Sequence, residues 1–222
     1  MQIEPVAIYR GALGAKFGVP RQSGLAPALE GSVEFLPPYR NREAFRGLEG
    51  FSRIWLIWGF HANKPAREEG EWSPTVRPPR LGGNTAMGVW ATRSPYRPNP
   101  LGLSCVEVTG IDLENAILHV KGADLMDGTP IFDLKPYVVY ADSFPAARSG
   151  FAAAAPQPVL EVVLPEALPL SPAEREALTE ILSLDPRPAY QDDPQKIYGL
   201  LFAGRDWKFR VEGSRLTVLS YE

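Results

Sequence analysis

Two stretches of the 222-residue sequence carry side chains whose types and spacing suit chemistry. The first is Ala91-Thr92-Arg93-Ser94-Pro95-Tyr96-Arg97-Pro98-Asn99-Pro100-Leu101-Gly102, in which three prolines fall within six residues. Each proline fixes its own φ and restricts the residue before it, so Arg93, Arg97 and Asn99 are presented with little freedom. A pre-organised cluster of this kind grips an anion or a base edge at low entropic cost. Arginines that cap loop carbonyls would explain the same pattern. The second stretch, Asp124-Leu125-Met126-Asp127-Gly128-Thr129-Pro130-Ile131-Phe132-Asp133-Leu134-Lys135-Pro136-Tyr137, joins an Asp-Gly turn to a proline-opened strand. Alternation along that strand predicts Asp133, Lys135 and Tyr137 on one face. Its carboxylates suit a base, a hydrogen-bond acceptor or a metal ligand. For Asp127, ordinary turn chemistry is an equal reading.

Several familiar chemistries have no foothold. The sequence holds neither a glycine-rich dinucleotide fingerprint nor a Walker loop, since Leu81-Gly82-Gly83-Asn84 lacks both the spacing and the lysine. His61 and His119 are the only histidines, which argues against a multi-histidine metal site or a Ser-His-Asp arrangement. Cys105 is the only cysteine, so no intrachain disulfide framework or thiolate cage exists. The formal charge of −3 conceals an asymmetry: residues 1–110 hold 13 basic and 9 acidic side chains, residues 111–222 hold 10 and 17. Residues 72–106 contain no acid but include Arg77, Arg80, Arg93 and Arg97. Such a patch attracts a phosphate backbone even on a mildly acidic protein.

The elements that must position these groups are short. With 45% hydrophobic residues, 20 Gly and 23 Pro, the chain reads as folded and turn-rich. It lacks a run of roughly 18 apolar residues, and residues 1–10 lack a basic region followed by an apolar core. A soluble protein, not exported, in the cytoplasm and away from membranes is the expectation. Runs at 33–36, 54–60, 87–92, 103–111, 116–121 and 131–140 read as strands, with 103–111 and 116–121 forming a hairpin. A short helix is expected at 41–48. After a small-residue stretch, Ser171, Pro172 and Glu174 form a capping box that opens a helix ended by Asp185-Pro186. Residues 207–212 and 215–219 then read as a closing hairpin. The expected fold is mainly β: a small β-barrel catalytic domain at 1–145, a linker at 146–158, and a smaller α+β domain at 159–222.

Five blocks in order carry a family resemblance. The two stretches above, Phe17-Gly18-Val19-Pro20-Arg21-Gln22-Ser23-Gly24-Leu25, Arg46-Gly47-Leu48-Glu49-Gly50-Phe51-Ser52, and Thr75-Val76-Arg77-Pro78-Pro79-Arg80-Leu81-Gly82-Gly83-Asn84 resemble the TrmO (TsaA-like, YaeB) family of tRNA methyltransferases. The likeness spans residues 3 to about 145. Asp185-Pro186-Arg187-Pro188-Ala189-Tyr190 is similar to the carboxy-terminal extension of longer bacterial members.

The resemblance implies S-adenosylmethionine as methyl donor on a small barrel, usually in a homodimer. It implies methylation of N6 of N6-threonylcarbamoyladenosine at position 37 of a threonine tRNA. By the same likeness the donor contacts Pro20, Arg21, Gln22, His61, Ala62, Arg93, Leu103, Ala123, Asp124, Leu125 and Met126. Many relatives have His-Gln where this chain has His61-Ala62, and residues 63–71 are longer than usual. Because the carbamoyl group withdraws electron density from N6, help with its proton is expected from Asp127 or Asp133 as catalytic carboxylate. The threonyl carboxylate suggests Arg97 or Lys135 as its partner, with Asn99 and Tyr137 also on the substrate side. Arg187, Lys196, Arg205, Lys208, Arg210 and Arg215 would make a basic face if the nearby acids lie opposite. Two rivals stand beside this reading: an RNA-binding barrel without catalysis, and a metal-assisted hydrolase on Asp124, Asp127 and Asp133.

Overall fold

Six strands that alternate inward and outward side chains close into a barrel in the computed structural model. It describes residues 2–63, 72–188, 191 and 193–222. The strands are β1 (Ala7–Gly11), β2 (Glu30–Phe35), β3 (Arg53–Gly59), β4 (Thr75–Val76), β5 (Met87–Gly88), β6 (Leu101–Asp112), β7 (Ile117–Lys121) and β8 (Pro130–Pro136). The barrel runs in the order β1-β2-β7-β6-β3-β8, and β8 returns to β1. Ile54, Leu56 and Trp58 of β3 point inward beside Val106 of β6 and Ile131 of β8. The outward residues of the same strands, Trp55 and Ile57 of β3 and Leu103 of β6, form the outer wall. Gly102 sits directly over the Trp58 indole, where any Cβ would collide with the ring.

The expected hairpin holds: β6 and β7 pair with Asp112 opposite Ile117, and the Asp112 carboxylate accepts from the backbone of Glu114 and Asn115. Three expectations are corrected. Only Met87–Gly88 of residues 87–92 is strand; Val89–Ala91 is a 3-10 turn whose Val89 N–H is taken by the Pro74 carbonyl. The strand expected over 131–140 stops at Pro136, and Val139–Asp142 forms a helical turn, α1. Proline cannot extend the ladder, and Asp142 Oδ2 accepts from Val138 N–H at 2.8 Å. The helix expected over 41–48 is two 3-10 turns, Arg42–Phe45 and Leu48–Gly50, separated by Gly47 at φ 86°.

Beyond the barrel lie β9 (Glu161–Val163), α2 (Pro172–Ser183), β10 (Tyr198–Phe202), β11 (Arg205–Glu212) and β12 (Arg215–Tyr221). The capping box on Ser171 and Glu174 is present as expected, and so is the closing hairpin. This four-stranded sheet shares its core with the chain between β1 and β2. Leu13, Ala26 and Leu29 are buried with Leu178, Phe202, Trp207 and Phe209. The Phe17 ring stacks on Tyr198, and the Ala28 N–H donates to Glu180 Oε2 at 2.9 Å. Residues 17–25 are therefore held at both ends by carboxy-terminal residues. Among the described residues, no helix is long and apolar enough to cross a membrane.

Replacing Gly102 by Ala should lower stability by about 1–3 kcal/mol, because the new methyl forces Trp58 off its rotamer. Urea unfolding followed by tryptophan fluorescence measures it.

Candidate active site at the barrel mouth

Strand register brings the ends of β1, β3 and β7 to one rim together with the starts of β6 and β8. Four segments meet there. The loop over 20–24 joins the turn after β7 through Gly24 N–H donating to the Gly122 carbonyl at 2.8 Å. Gly122 adopts φ 73°, a left-handed conformation that side chains rarely take, and lies in van der Waals reach of Gly24. The proline-stiffened loop reaches the same place: Arg93 Nη1 donates to Gln22 Oε1 at 2.6 Å. Cys105 N–H of β6 donates to Ser23 Oγ at 3.2 Å. Lys16 Nζ donates to Asn63 Oδ1 at 2.5 Å, which draws the segment of His61 and Ala62 to the first loop.

Asp124 is the electrostatic centre of this mouth. Trp58 Nε1 donates to Ser104 Oγ at 2.9 Å, and Ser104 Oγ donates to Asp124 Oδ1 at 2.5 Å. Burial pushes the Asp124 carboxyl above the usual carboxylate range. Ser104, the backbone of Asp124 and Ser23, and the charge of Arg93 pull it back in part. Burial, followed by the charges of Asp124 and Asp127, also holds the Tyr9 phenol well above its ordinary value. A carboxylate this desolvated favours a partner that brings positive charge or hydrogen-bond donors.

Of the expected donor contacts, Gln22, Arg93 and Asp124 meet directly or by charge, Pro20 and Arg21 belong to the same loop, and Ala123 and Leu125 are buried behind Asp124. The Met126 carbonyl is taken by Thr129 Oγ1 at 2.7 Å. Leu103 lies on the outer wall of β6, opposite in facing to Ser104, and is 48% exposed. His61 and Asn99 line a cavity of about 380 Å³ at the rim, with Gly59, Phe60, Pro100 and Phe132. The structure thus brings the two notable stretches together, Arg93 from one and Asp124 from the other.

The remaining expected residues are placed less centrally. Arg97 Nη1 donates to the Thr92 carbonyl at 3.0 Å, and its guanidinium lies 5.5 Å from the centroid of the Trp90 ring. Asp127 accepts from Gly11 N–H at 3.2 Å and pairs with Arg10 at 3.7 Å, so it ties the turn to β1. Asp133 and Lys135 share one face as expected and form an ion pair at 3.0 Å on the outer wall. Tyr137 packs against Trp55, ring centroids 5.9 Å apart. Among the described residues no group of three His, Cys, Asp or Glu side chains gathers to hold a metal ion. Asp124, Asp127 and Asp133 each have their own partners, so the hydrolase reading has no shared site. Of the basic face expected near the carboxy terminus, Arg187, Lys208 and Arg210 pair with the adjacent Asp185, Asp206 and Glu212, so for these three the acids do not lie opposite. The expectations about residues 64–71, and about Ala189 and Tyr190, lie outside the described residues.

Ser104, Trp58 and Tyr9 escape the sequence reading. The one available signal was Ser104, a polar residue at an inward position of an otherwise apolar alternation.

The barrel is closed, and its mouth carries an arginine and a buried carboxylate, groups suited to a ligand that bears an anion and hydrogen-bond donors. Comparison with known proteins gives the family. The tRNA-methyltransferase O N-terminal domain matches residues 8–143, and the TrmO C-terminal domain matches 166–222. The tRNA (adenine(37)-N6)-methyltransferase of Escherichia coli is 39% identical over 238 residues, covering 100% of this chain and 97% of that protein. RcsF of Pseudomonas aeruginosa, whose name describes an S-adenosylmethionine-dependent methyltransferase, is 42% identical over 211 residues, covering 89% of this chain and 87% of that protein. A crystal structure of TrmO superimposes with a TM-score of 0.78 at 32% identity, covering 100% of this chain and 98% of the other. The chain belongs to the TrmO family of tRNA methyltransferases and is an enzyme of that class.

Arg93→Ala removes both the Gln22 clasp and a charge beside Asp124. Donor affinity should fall roughly tenfold or more, as expected for a charge-assisted bond, in calorimetric titration with S-adenosylmethionine. A second expectation concerns pH. The folded Asp124 carboxyl binds its proton more tightly than the unfolded one, so stability falls as pH rises from the ordinary carboxylate value through the raised folded value. Asp124→Asn should therefore melt above the parent protein at neutral pH, with the gap closing in acid, while donor binding is lost.

Proposed function

We propose that this chain transfers a methyl group from S-adenosylmethionine to N6 of the threonylcarbamoylated adenosine at position 37 of tRNA. The observation that carries the reading is the meeting of Gln22, Arg93 and Asp124 at one mouth. Relatives named tRNA (adenine(37)-N6)-methyltransferase support the base and the atom. The residues present suit the donor. Arg93 and Arg21 complement its carboxylate, buried Asp124 complements its ammonium or ribose hydroxyls, and exposed Leu103 offers an apolar surface for its purine.

The bound donor supplies a methyl group on a positively charged sulfur, whose departure as a neutral thioether drives the displacement. This chain's residues have to place that methyl and N6 in line at near-attack distance and keep water from between them. The prolines of the loop hold Arg93 against Gln22 at little further entropic cost. The carbamoyl group lowers the nucleophilicity of N6, so its proton must be accepted as the new N–C bond forms. Asp127 lies in the turn before β8, bonded to Gly11 at the end of β1, whereas Asp133 pairs with Lys135 on the outer wall, which makes Asp127 the better placed of the two carboxylates. Arg97 is steadied by Trp90 and Thr92, with guanidinium nitrogens left over for the threonyl carboxylate. The cavity beside His61 and Asn99 is of a size to take a base drawn out of the anticodon loop. We further propose that two copies pair, because Trp90, Tyr140 and Phe144 leave apolar surface open, at 67%, 89% and 68% exposure.

Incubation with labelled methyl donor and tRNA, isolated with and without the threonylcarbamoyl group, tests the reading. Label should enter only the modified tRNA, at N6 of the base beside the anticodon. Label in neither tRNA would overturn the reading. Arg97→Ala should slow turnover of the modified tRNA by about one order of magnitude, the scale of one charge-assisted contact. Equal rates would remove Arg97 from the substrate side.

A further inference from the structure

Ser104 is the one fully buried serine inside the barrel among the described residues, and nothing in the donor or acceptor contacts considered so far uses it. A serine hydroxyl has one hydrogen and two lone pairs. The Trp58 indole N–H has no acceptor role, so its bond to Ser104 Oγ at 2.9 Å occupies a lone pair of that oxygen. The single hydroxyl hydrogen is then directed at Asp124 Oδ1, 2.5 Å away. The direction of the relay is therefore fixed from the indole to the serine to the carboxylate. Trp58 cannot turn away, because Gly102 closes over its ring and Phe60 packs against it with centroids 4.4 Å apart. Packing of an aromatic side chain thereby sets the orientation of a charged group at the mouth.

We propose that Trp58 and Ser104 are positioning residues that hold the Asp124 carboxylate in one orientation, ready to receive the hydrogen-bond donors of S-adenosylmethionine. The proposal rests on the reading of the mouth as the methyl-donor site. The bond from Ser104 opposes the effect of burial on the carboxyl. The other charged or titratable groups facing Asp124 are Arg93 on the loop and Tyr9 on β1, with Asp127 beyond Tyr9. None of them donates to Oδ1 as Ser104 does.

The test combines Ser104→Ala, Trp58→Phe and Ser104→Thr with two readouts. In donor-free protein, carbon-detected NMR of the aspartate carboxyls follows the Asp124 titration. Ser104→Ala should move its midpoint upward by about one pH unit, the scale of one lost hydrogen bond to the ionised form. Trp58→Phe should move it less in the same direction, and Ser104→Thr, which keeps a hydroxyl, should restore it. In calorimetry and steady-state assays below both midpoints, Ser104→Ala should weaken donor affinity roughly tenfold, corresponding to that shift, and less above them. Its acidic limb should move to higher pH, with kcat at saturating donor within about twofold. A merely structural serine would lower the melting temperature without moving either the titration or the limb, and that result overturns the proposal. If the parent protein binds no S-adenosylmethionine, the reading of the mouth fails and the relay's purpose fails with it. If the parent binds and Ser104→Ala binds equally across pH, only the relay is overturned.

Discussion

Keeping a carboxylate inside the lip of an apolar barrel is the constraint around which this molecule is arranged. An isolated charge in such surroundings costs several kcal/mol, on the order that drives a group to neutralise instead. Burial raises the Asp124 carboxyl, and what surrounds it opposes that rise in part: the hydroxyl of Ser104, nearby backbone amides and the charge of Arg93. Each of those comes from a different part of the chain. Ser104 is supplied by β6, Arg93 by the loop before it, and the amides by the Gln22–Gly24 region and by the turn after β7. The mouth exists only when all of these are docked at once.

The carboxy-terminal sheet enters the same arrangement from below. The loop that carries Pro20, Arg21 and Gln22 leaves β1 at Leu13 and returns at Ala26 and Leu29, all three buried with residues of α2, β10 and β11. Gly14 N–H donates to the Leu201 carbonyl and Ala203 N–H to the Ala12 carbonyl, so backbone hydrogen bonds reinforce the apolar contact. The second sheet thus buttresses a loop of the barrel as well as forming a unit of its own. A change in its core at Phe17, Tyr198 or Phe209 would reach the mouth of the barrel through that loop.

Much of the local structure was legible from residue order. The capping box at Ser171, the hairpin across Asp112 to Asn115 and the closing hairpin at Gly213-Ser214 depend on interactions within a few residues, and all three formed. The errors have local causes that a run of apolar residues hides: the ladder at 131–140 ends at Pro136, the Val89 N–H is taken by the Pro74 carbonyl, and Gly47 splits 41–48 into two turns. Strands β1, β4, β9 and β10 were overlooked because a short strand has little pattern of its own and is defined by its partners.

The sequence by itself determined the class of fold, the absence of familiar nucleotide loops, the stiffness of the arginine loop and, through five ordered blocks, the family. All of these are properties of neighbouring residues or of motifs that can be read in line. Tertiary structure alone decided that Arg93 reaches Gln22 and faces Asp124, that Asp133 turns to the outer wall, and that a core tryptophan aims a serine at the carboxylate. Those relations join residues dozens of positions apart, and they depend on strand register. A shift of one residue would exchange the inside of the barrel for its outside.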